Sequence, residues 1–552
     1  MEPNRIEVKT TLTEEANSQY FIGRVRQGSW IVYFILAAIQ TIFFPEVTNL
    51  AIVVFIGLGW LLYSTAFMRP NLMRTYLFSS FIIFGYASTS FLFPLLFTTL
   101  EGKPVVFNLE YPEHVFLHAL AGMAVLLVAH AIYRFLMRST SDRSVSVMKV
   151  LGFYTPPTDM QLWIMGFVGL VSMYYVYFMN PDLGRDPTGQ PLDKLVQSLS
   201  TFTYAPYVII CGALYGRKSK TIGSNLIPLG VFTLVLFALA IGRNSTGAFM
   251  FGFTTIAFAY LVACFIGVFK PKFFTLRNVI IGALGLWLLV GPLADLRTAM
   301  VIVRGERTEI SAETLLLRTL EAYDDKEAIR ERRINDLGAE LIDPDWDELY
   351  VDNVFANRFS NVKFADLSLE RADMLGEYDP DMLDFAYAYL IGSVPDPVIK
   401  FFGFDIDKEL AYSNSHGDMI YLASGGQGTG GGFRVGHFAG LGMATFGWWY
   451  LGLLGAGMII VFYLVDKFQE QKKTLTNDES ASEHHSTRFS FCGLLALTTF
   501  FQFLQLESVT QIGSFLIRGW LQMALLYVVI FHLSRVVSGV PFKRLKWSSA
   551  PN

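Results

Sequence analysis

Seven polar residues in an otherwise apolar chain have types and positions that could do chemistry. Arg434 and His437 stand three apart in Gly-Gly-Phe-Arg-Val-Gly-His-Phe-Ala-Gly, so they share a face if a helix has begun there. A histidine beside a guanidinium has a lowered proton affinity, which suits a general base. The competing reading is a hydrogen-bonded interface histidine. Arg243 falls in Ile-Gly-Arg-Asn-Ser-Thr-Gly, a tight turn whose hydroxyls and glycines suit a phosphate. Its alternative is an anchor that snorkels to lipid headgroups. Arg518, in Phe-Leu-Ile-Arg-Gly-Trp, lies within an apolar run, with Glu507 and Gln505 at the end of the run before it. Glu507 and Arg518 could bind substrate, or could staple two helices as an ion pair. Arg318 and Arg358 each stand beside apolar residues, in Leu-Leu-Leu-Arg-Thr-Leu and Asn-Arg-Phe-Ser-Asn. The planar fork of an arginine holds two oxygens of a pyrophosphate at once.

Other signals carry less. The stretch 425–432 is glycine-rich but lacks the Gly-Lys-Ser/Thr ending of a phosphate loop, and reads as a lid beside Arg434. Asp343, Asp345 and Asp347 have calcium-loop spacing, but Glu348 replaces the turn glycine and no glutamate follows at the twelfth position. No metal and no cofactor is expected. His484 and His485 lie in a charged loop, and Asn244 opens a formal glycosylation sequon inside the Arg243 turn.

The elements that position these residues are membrane spans. Of 552 residues, 53% are hydrophobic and only 16% are charged. Apolar runs near 29–44, 48–66, 75–98, 114–136, 160–179, 199–216, 225–241, 247–268, 278–294, 436–465, 489–506 and 513–534 are long enough to cross the ~30 Å hydrocarbon core as helices. The first of these is short. The alternating pattern of a membrane barrel is absent. The expectation is an all-α polytopic membrane protein with about 12 transmembrane helices. Cys211, Cys264 and Cys492 fall inside spans, so no disulfide framework is expected.

Orientation follows from Lys and Arg. The segments that carry Arg24 and Arg26, Arg69 and Arg74, Arg134 to Lys149, Arg217 to Lys220, Lys270 to Arg277, Lys467 to Lys473 and Arg535 to Lys546 hold about 24 basic residues, against about four in the opposite short loops. Both termini (1–28 and 535–552) are therefore expected in the cytoplasm. Spans 29–294 and 436–534 flank a loop, 295–435, expected on the other side. That loop holds about 28 acidic and 14 basic residues. Its segment Phe385–Phe404 is interrupted by Pro395 and Pro397, so it is expected to lie along the membrane surface as an interfacial helix. No internal repeat is visible, which counts against an inverted-repeat transporter. A net charge of −4 gives no footprint for nucleic acid.

This order of features resembles a known family. It comprises an arginine in an external turn, a large external loop with arginines and Tyr-Leu-Ile-Gly-Ser-Val-Pro-Asp-Pro (389–397), and a return through Gly-His-Phe-Ala-Gly-Leu-Gly-Met-Ala-Thr-Phe-Gly-Trp-Trp-Tyr-Leu-Gly. The chain is similar to the Wzy-type O-antigen and oligosaccharide repeat-unit polymerases of the bacterial inner membrane, relatives of the O-antigen ligases. The interval from His437 to Gly447 is one residue shorter than the corresponding interval in some members. The resemblance implies a GT-C-like, metal-independent, inverting membrane glycosyltransferase. Its donor would be a glycan on undecaprenyl pyrophosphate, its acceptor a single lipid-linked repeat unit, and its protein partner a chain-length regulator. On that reading Arg243, Arg318 and Arg358 neutralise the departing pyrophosphate, His437 takes the acceptor's proton, and Arg434, Arg518 and Glu507 contact substrate. The alternatives are an O-antigen ligase and a lipid-linked oligosaccharide flippase.

Overall fold

The structure is a computed structural model. It describes residues 3–137, 147–179, 191–217, 222–242, 245–270, 277, 280, 284–285, 287–288, 291–303, 310–338, 345–394, 396–404, 406, 408–427, 434–474 and 484–540. Arg243, Asn244 and most of the expected span 278–294 lie outside these residues.

Among the described residues, eight helices are long and apolar enough to cross a membrane. In chain order, helix α1 (Pro3–Phe43) precedes the first of them. The first five are α2 (Val47–Ala66), α3 (Leu77–Leu100), α4 (Pro112–Met137), α5 (Asp159–Met179) and α6 (Ile222–Gly242), which carries the span Asn225–Gly242. Helix α7 (Thr246–Phe265) is the sixth. Their outward faces carry Leu58, Phe135, Ile227, Leu234 and Phe253 in the open. In water such faces would be a liability; against acyl chains they cost nothing. The chain is thus an all-α polytopic membrane protein.

Four expected spans fall outside the eight. The run 29–44 is the second half of α1. No proline interrupts this helix until Pro45, so it continues unbroken from its polar N-terminal half. Within the bundle it pairs with α2 through Trp30 Nε1 to Ser64 Oγ (3.2 Å) and Tyr33 OH to the Val53 carbonyl (3.0 Å). The run 199–216 is a tight 3-10 helix, Ser200–Tyr215, bent at Cys211 and containing Pro206. The run 278–294 is described only at scattered positions. The run 489–506 holds two five-residue helices rather than one long one, as described below.

The large loop contributes α8 (Ala312–Asp324), α9 (Val354–Phe359), α10 (Val362–Leu375), α11 (Pro380–Gly392), α12 (Asp396–Phe402), α13 (Lys408–Ser413) and α14 (His416–Ala423). The segment 385–404 is therefore two helices, and the first begins at Pro380 rather than Phe385. Asp379 caps that start by accepting the N–H of Met382 at 3.0 Å. The run 436–465 likewise divides into α15 (Phe438–Phe446) and the spanning helix α16 (Trp449–Asp466). The break is Gly447, whose φ of 53° favours glycine.

Beyond α16 comes a small antiparallel hairpin, β1 (Gln469–Thr474) and β2 (His484–Phe489), with Gln469 opposite Phe489. His484 and His485 are thus strand residues rather than loop residues. Two five-residue helices, α17 (Phe491–Leu495) and α18 (Leu497–Phe501), then run through the packed interior. The last span, α19, runs Thr510–Val537.

The two ends of the bundle are tied down by different polar contacts. At one end Arg74 pairs with Glu15 (2.8 Å), Lys149 pairs with Glu470 (3.0 Å), Arg217 pairs with Asp159, and Gln469 Nε2 donates to the Arg74 carbonyl (2.6 Å). At the other end the large loop docks on the turn between α3 and α4. Tyr350 OH donates to the Val105 carbonyl (2.6 Å), and the buried Asp366 accepts the N–H groups of Tyr111 (2.8 Å) and Glu110 (3.1 Å). Lys363, buried beside Asp366 at 3.1 Å, balances its charge. The three cysteines are free and buried.

Candidate functional site

The site lies where the large loop meets the return segment 434–437. Helix α14 is set by a capping box. Ser415 Oγ accepts the N–H of Asp418 (3.0 Å), and the Asp418 side chain accepts the N–H of Ser415 (3.3 Å). The first turn of α14 presses on the return segment so closely that a side-chain carbon on Gly417 would sit 2.3 Å from the Arg434 carbonyl oxygen. Asp418, fully buried, takes the Arg434 guanidinium at 2.9 Å. The same guanidinium stacks over the Tyr421 ring, 3.9 Å from its centroid. Arg434 is therefore neutralised by a buried carboxylate, an arrangement that holds the return segment in place.

His437 precedes α15 and caps it. Its Nδ1 accepts the N–H of Ala439 (3.2 Å), and its own N–H donates to Ser368 Oγ (2.9 Å). A neutral imidazole that accepts at Nδ1 carries its proton on Nε2 and is a donor there. Burial, with His118 adding to it, holds this ring down at about 3. In this arrangement the one lone pair of the His437 ring is engaged by the helix cap, which leaves Nε2–H as a donor.

Glu507 has the better properties for a base. Its carboxylate accepts the N–H of Gly417 at 3.2 Å and lies 4.0 Å from His416 Nδ1. Burial pushes the Glu507 carboxyl up to about 7, opposed by the backbone N–H groups of Gly417, Gly436 and His416. Burial also pushes His416 down to about 3, so the neighbouring ring is neutral and the pair is not ionic. His416 is held edge-on to Phe385 and Tyr389 of α11. A carboxyl that titrates near neutrality can take up or release a proton at little cost.

The arginines divide. Arg358, half-exposed on the last turn of α9, reaches Glu348 at 3.8 Å, and Glu348 accepts the N–H of Val435 at 3.0 Å. One carboxylate thus links Arg358 to the return segment. Arg318 is on the exposed side of α8, where it pairs with Glu321 one turn on (3.3 Å). Arg518, in the third turn of α19, donates Nε to Gln522 (3.0 Å). The expected Glu507–Arg518 staple does not form, because Glu507 reaches instead to α14. Arg243 lies outside the described residues.

Three site residues escaped the sequence reading. His416 and Asp418 flank Gly417, and the Ser415-x-x-Asp418 capping pattern was the available signal. The third, Arg371 of α10, is buried. Its guanidinium donates to the Asp345 carbonyl and lies 5.1 Å from the Tyr421 ring, and its Nε has no hydrogen-bond partner among the described residues. Nothing local in Leu-Glu-Arg-Ala-Asp marks it. Among the described residues no three His, Cys, Asp or Glu side chains gather to hold a metal ion.

No family model, curated protein or solved structure matches this chain.

Proposed function

We propose that the protein is a membrane glycosyltransferase that joins lipid-pyrophosphate-linked oligosaccharide repeat units into a surface polysaccharide. The observation that carries this reading is Glu507: a partly buried carboxyl poised near neutral pH against the first turn of α14, at the end of the bundle opposite the basic loops. By the positive-inside rule that end faces away from the cytoplasm. The membrane is then the bacterial inner membrane, with both termini in the cytoplasm.

In the proposed reaction an acceptor sugar hydroxyl attacks the anomeric carbon of the donor glycan. The new glycosidic C–O bond forms as the anomeric C–O bond to undecaprenyl pyrophosphate breaks. Glu507 receives the hydroxyl proton. Arginines stabilise the charge that grows on the departing pyrophosphate. Arg358 and Arg371 are tied to the return segment and to α14 through Glu348 and Tyr421, and the family resemblance adds Arg318 and Arg243. Arg434 acts indirectly, by holding the return segment that carries the Gly436 N–H toward Glu507.

Deletion of the gene in its own host and complementation with variants tests this. The expected result for Glu507→Gln is surface glycan reduced to a single repeat unit on its acceptor. Normal long-chain glycan from Glu507→Gln would sink the assignment. Complete loss of even the single unit would point to a ligase instead.

A further inference from the structure

Helices α11 and α12 leave an apolar face that no described residue of the loop covers. Leu383, Tyr387 and Val398 are exposed along it, and it ends at Phe401 (82% exposed), Phe402 (65%) and Phe404. In water a contiguous aromatic surface of this kind is a liability.

Both ends of α11 are tied to span ends on the same side of the bundle. At its start the Asp379 N–H donates to the Ala444 carbonyl (2.9 Å) in α15, and the Tyr378 hydroxyl lies against Gly447, just before α16 begins. Toward its end Leu390 packs on Gly513, in the first turn of α19, so closely that a carbon added there would lie 2.5 Å from Leu390 Cδ1. Helix α11 therefore bridges two span ends and lies across the mouth of the bundle. Its far end is fixed by Lys408 Nζ on the Val394 carbonyl (3.0 Å) and by Tyr412 OH on the Tyr389 carbonyl (3.2 Å). Trp449, exposed at the first turn of α16, marks the same level, where interfacial tryptophans sit.

We infer that α12 and the Gly403-Phe404 that follows it dip into the acyl chains of the adjoining leaflet, with α11 lying along the headgroup layer. The exposed apolar face lies at the level of the span ends to which α11 is tied, and Lys400, exposed on α12, can snorkel to headgroup phosphates. The inference rests on placement alone and stands apart from the glycosyl-transfer reading.

The test uses full-length protein in vesicles of phosphatidylethanolamine and phosphatidylglycerol. An environment-sensitive fluorophore is attached at Phe401→Cys, and in a second protein at Glu313→Cys, an exposed position on α8. The three native cysteines are buried, and Phe401 is too exposed for its loss to unfold the chain. The expected result is loss of emission at position 401 with nitroxide-labelled acyl chains and none with iodide, the reverse holding at position 313. Iodide quenching at 401 equal to that at 313 would overturn the inference. Protection from both quenchers would overturn it too, since a second protein surface would then cover the face. Neither readout depends on catalysis.

Discussion

The Glu507 carboxylate accepts the backbone N–H of Gly417 at 3.2 Å, across 90 residues of chain. This bond seats a titratable group against the first turn of α14, where backbone donors favour its charge and burial opposes it. Burial wins, and the carboxyl is left near 7 instead of its ordinary 4.5. The folded state therefore holds this proton more tightly than the unfolded chain does. Its contribution to stability is full below about 4.5 and is lost as pH rises through about 7, a change on the order of 3 kcal/mol. Thermal melting in detergent across that window is expected to show a falling midpoint for the parent and a flatter profile for Glu507→Gln.

Activity has the opposite slope. A base must be ionised, so polymer synthesis in membranes is expected to rise about tenfold per pH unit below neutrality and level off above it. Glu507→Gln is expected to lower the rate by about 10²–10⁴-fold. A parent rate that does not change between pH 5 and 8 would exclude Glu507 as the base.

Arg434 and Asp418 are expected to behave as a structural pair. Arg434→Ala leaves the fully buried Asp418 uncompensated, at a cost of about 3–5 kcal/mol. The double variant Arg434→Met, Asp418→Asn removes both charges and should recover most of the melting temperature. If it recovers none, the guanidinium has a role beyond neutralising Asp418.

His437→Asn separates a cap from a base. Asparagine is a strong N-cap, so the variant should melt within about 1 kcal/mol of the parent and make long-chain glycan. His437→Ala should lose about 1 kcal/mol of stability. Abolished polymer with intact folding in His437→Asn would restore the histidine to the chemistry.

Glycine substitutions probe the packing that holds the site. A side-chain carbon on Gly85 of α3 would lie 1.9 Å from the Phe501 carbonyl oxygen at the end of α18, a backbone atom that cannot turn away. Gly85→Ala is expected to prevent accumulation of folded protein. Gly230→Ala, with nothing within 4 Å of the added carbon, is expected to fold normally. Immunoblots of membrane fractions and size-exclusion profiles check both.

Much of the architecture was legible in the chain. Among the described residues, hydropathy marked seven of the eight spans to within a few residues and ran the other, α16, back to 436 across the Gly447 break. Hydropathy belongs to short stretches read one at a time. Hydropathy failed where backbone geometry intervened: at Pro206 and Cys211 in the tight helix, and at Ala496 between the two short interior helices, each of which is apolar enough to look like a span.

The site was legible only as a set of polar residues. Arg434, His437, Arg358 and Glu507 were all marked, yet their roles changed when partners were found. His437 became a cap because Ala439 presented an N–H to it, and Arg434 was claimed by Asp418. Glu507 turned away from Arg518 because the first turn of α14 offered better donors. Apolar length is a property of local sequence, so the sequence determined the membrane character. Which group keeps its proton depends on burial and on partners far along the chain, and only the packed tertiary structure decided that.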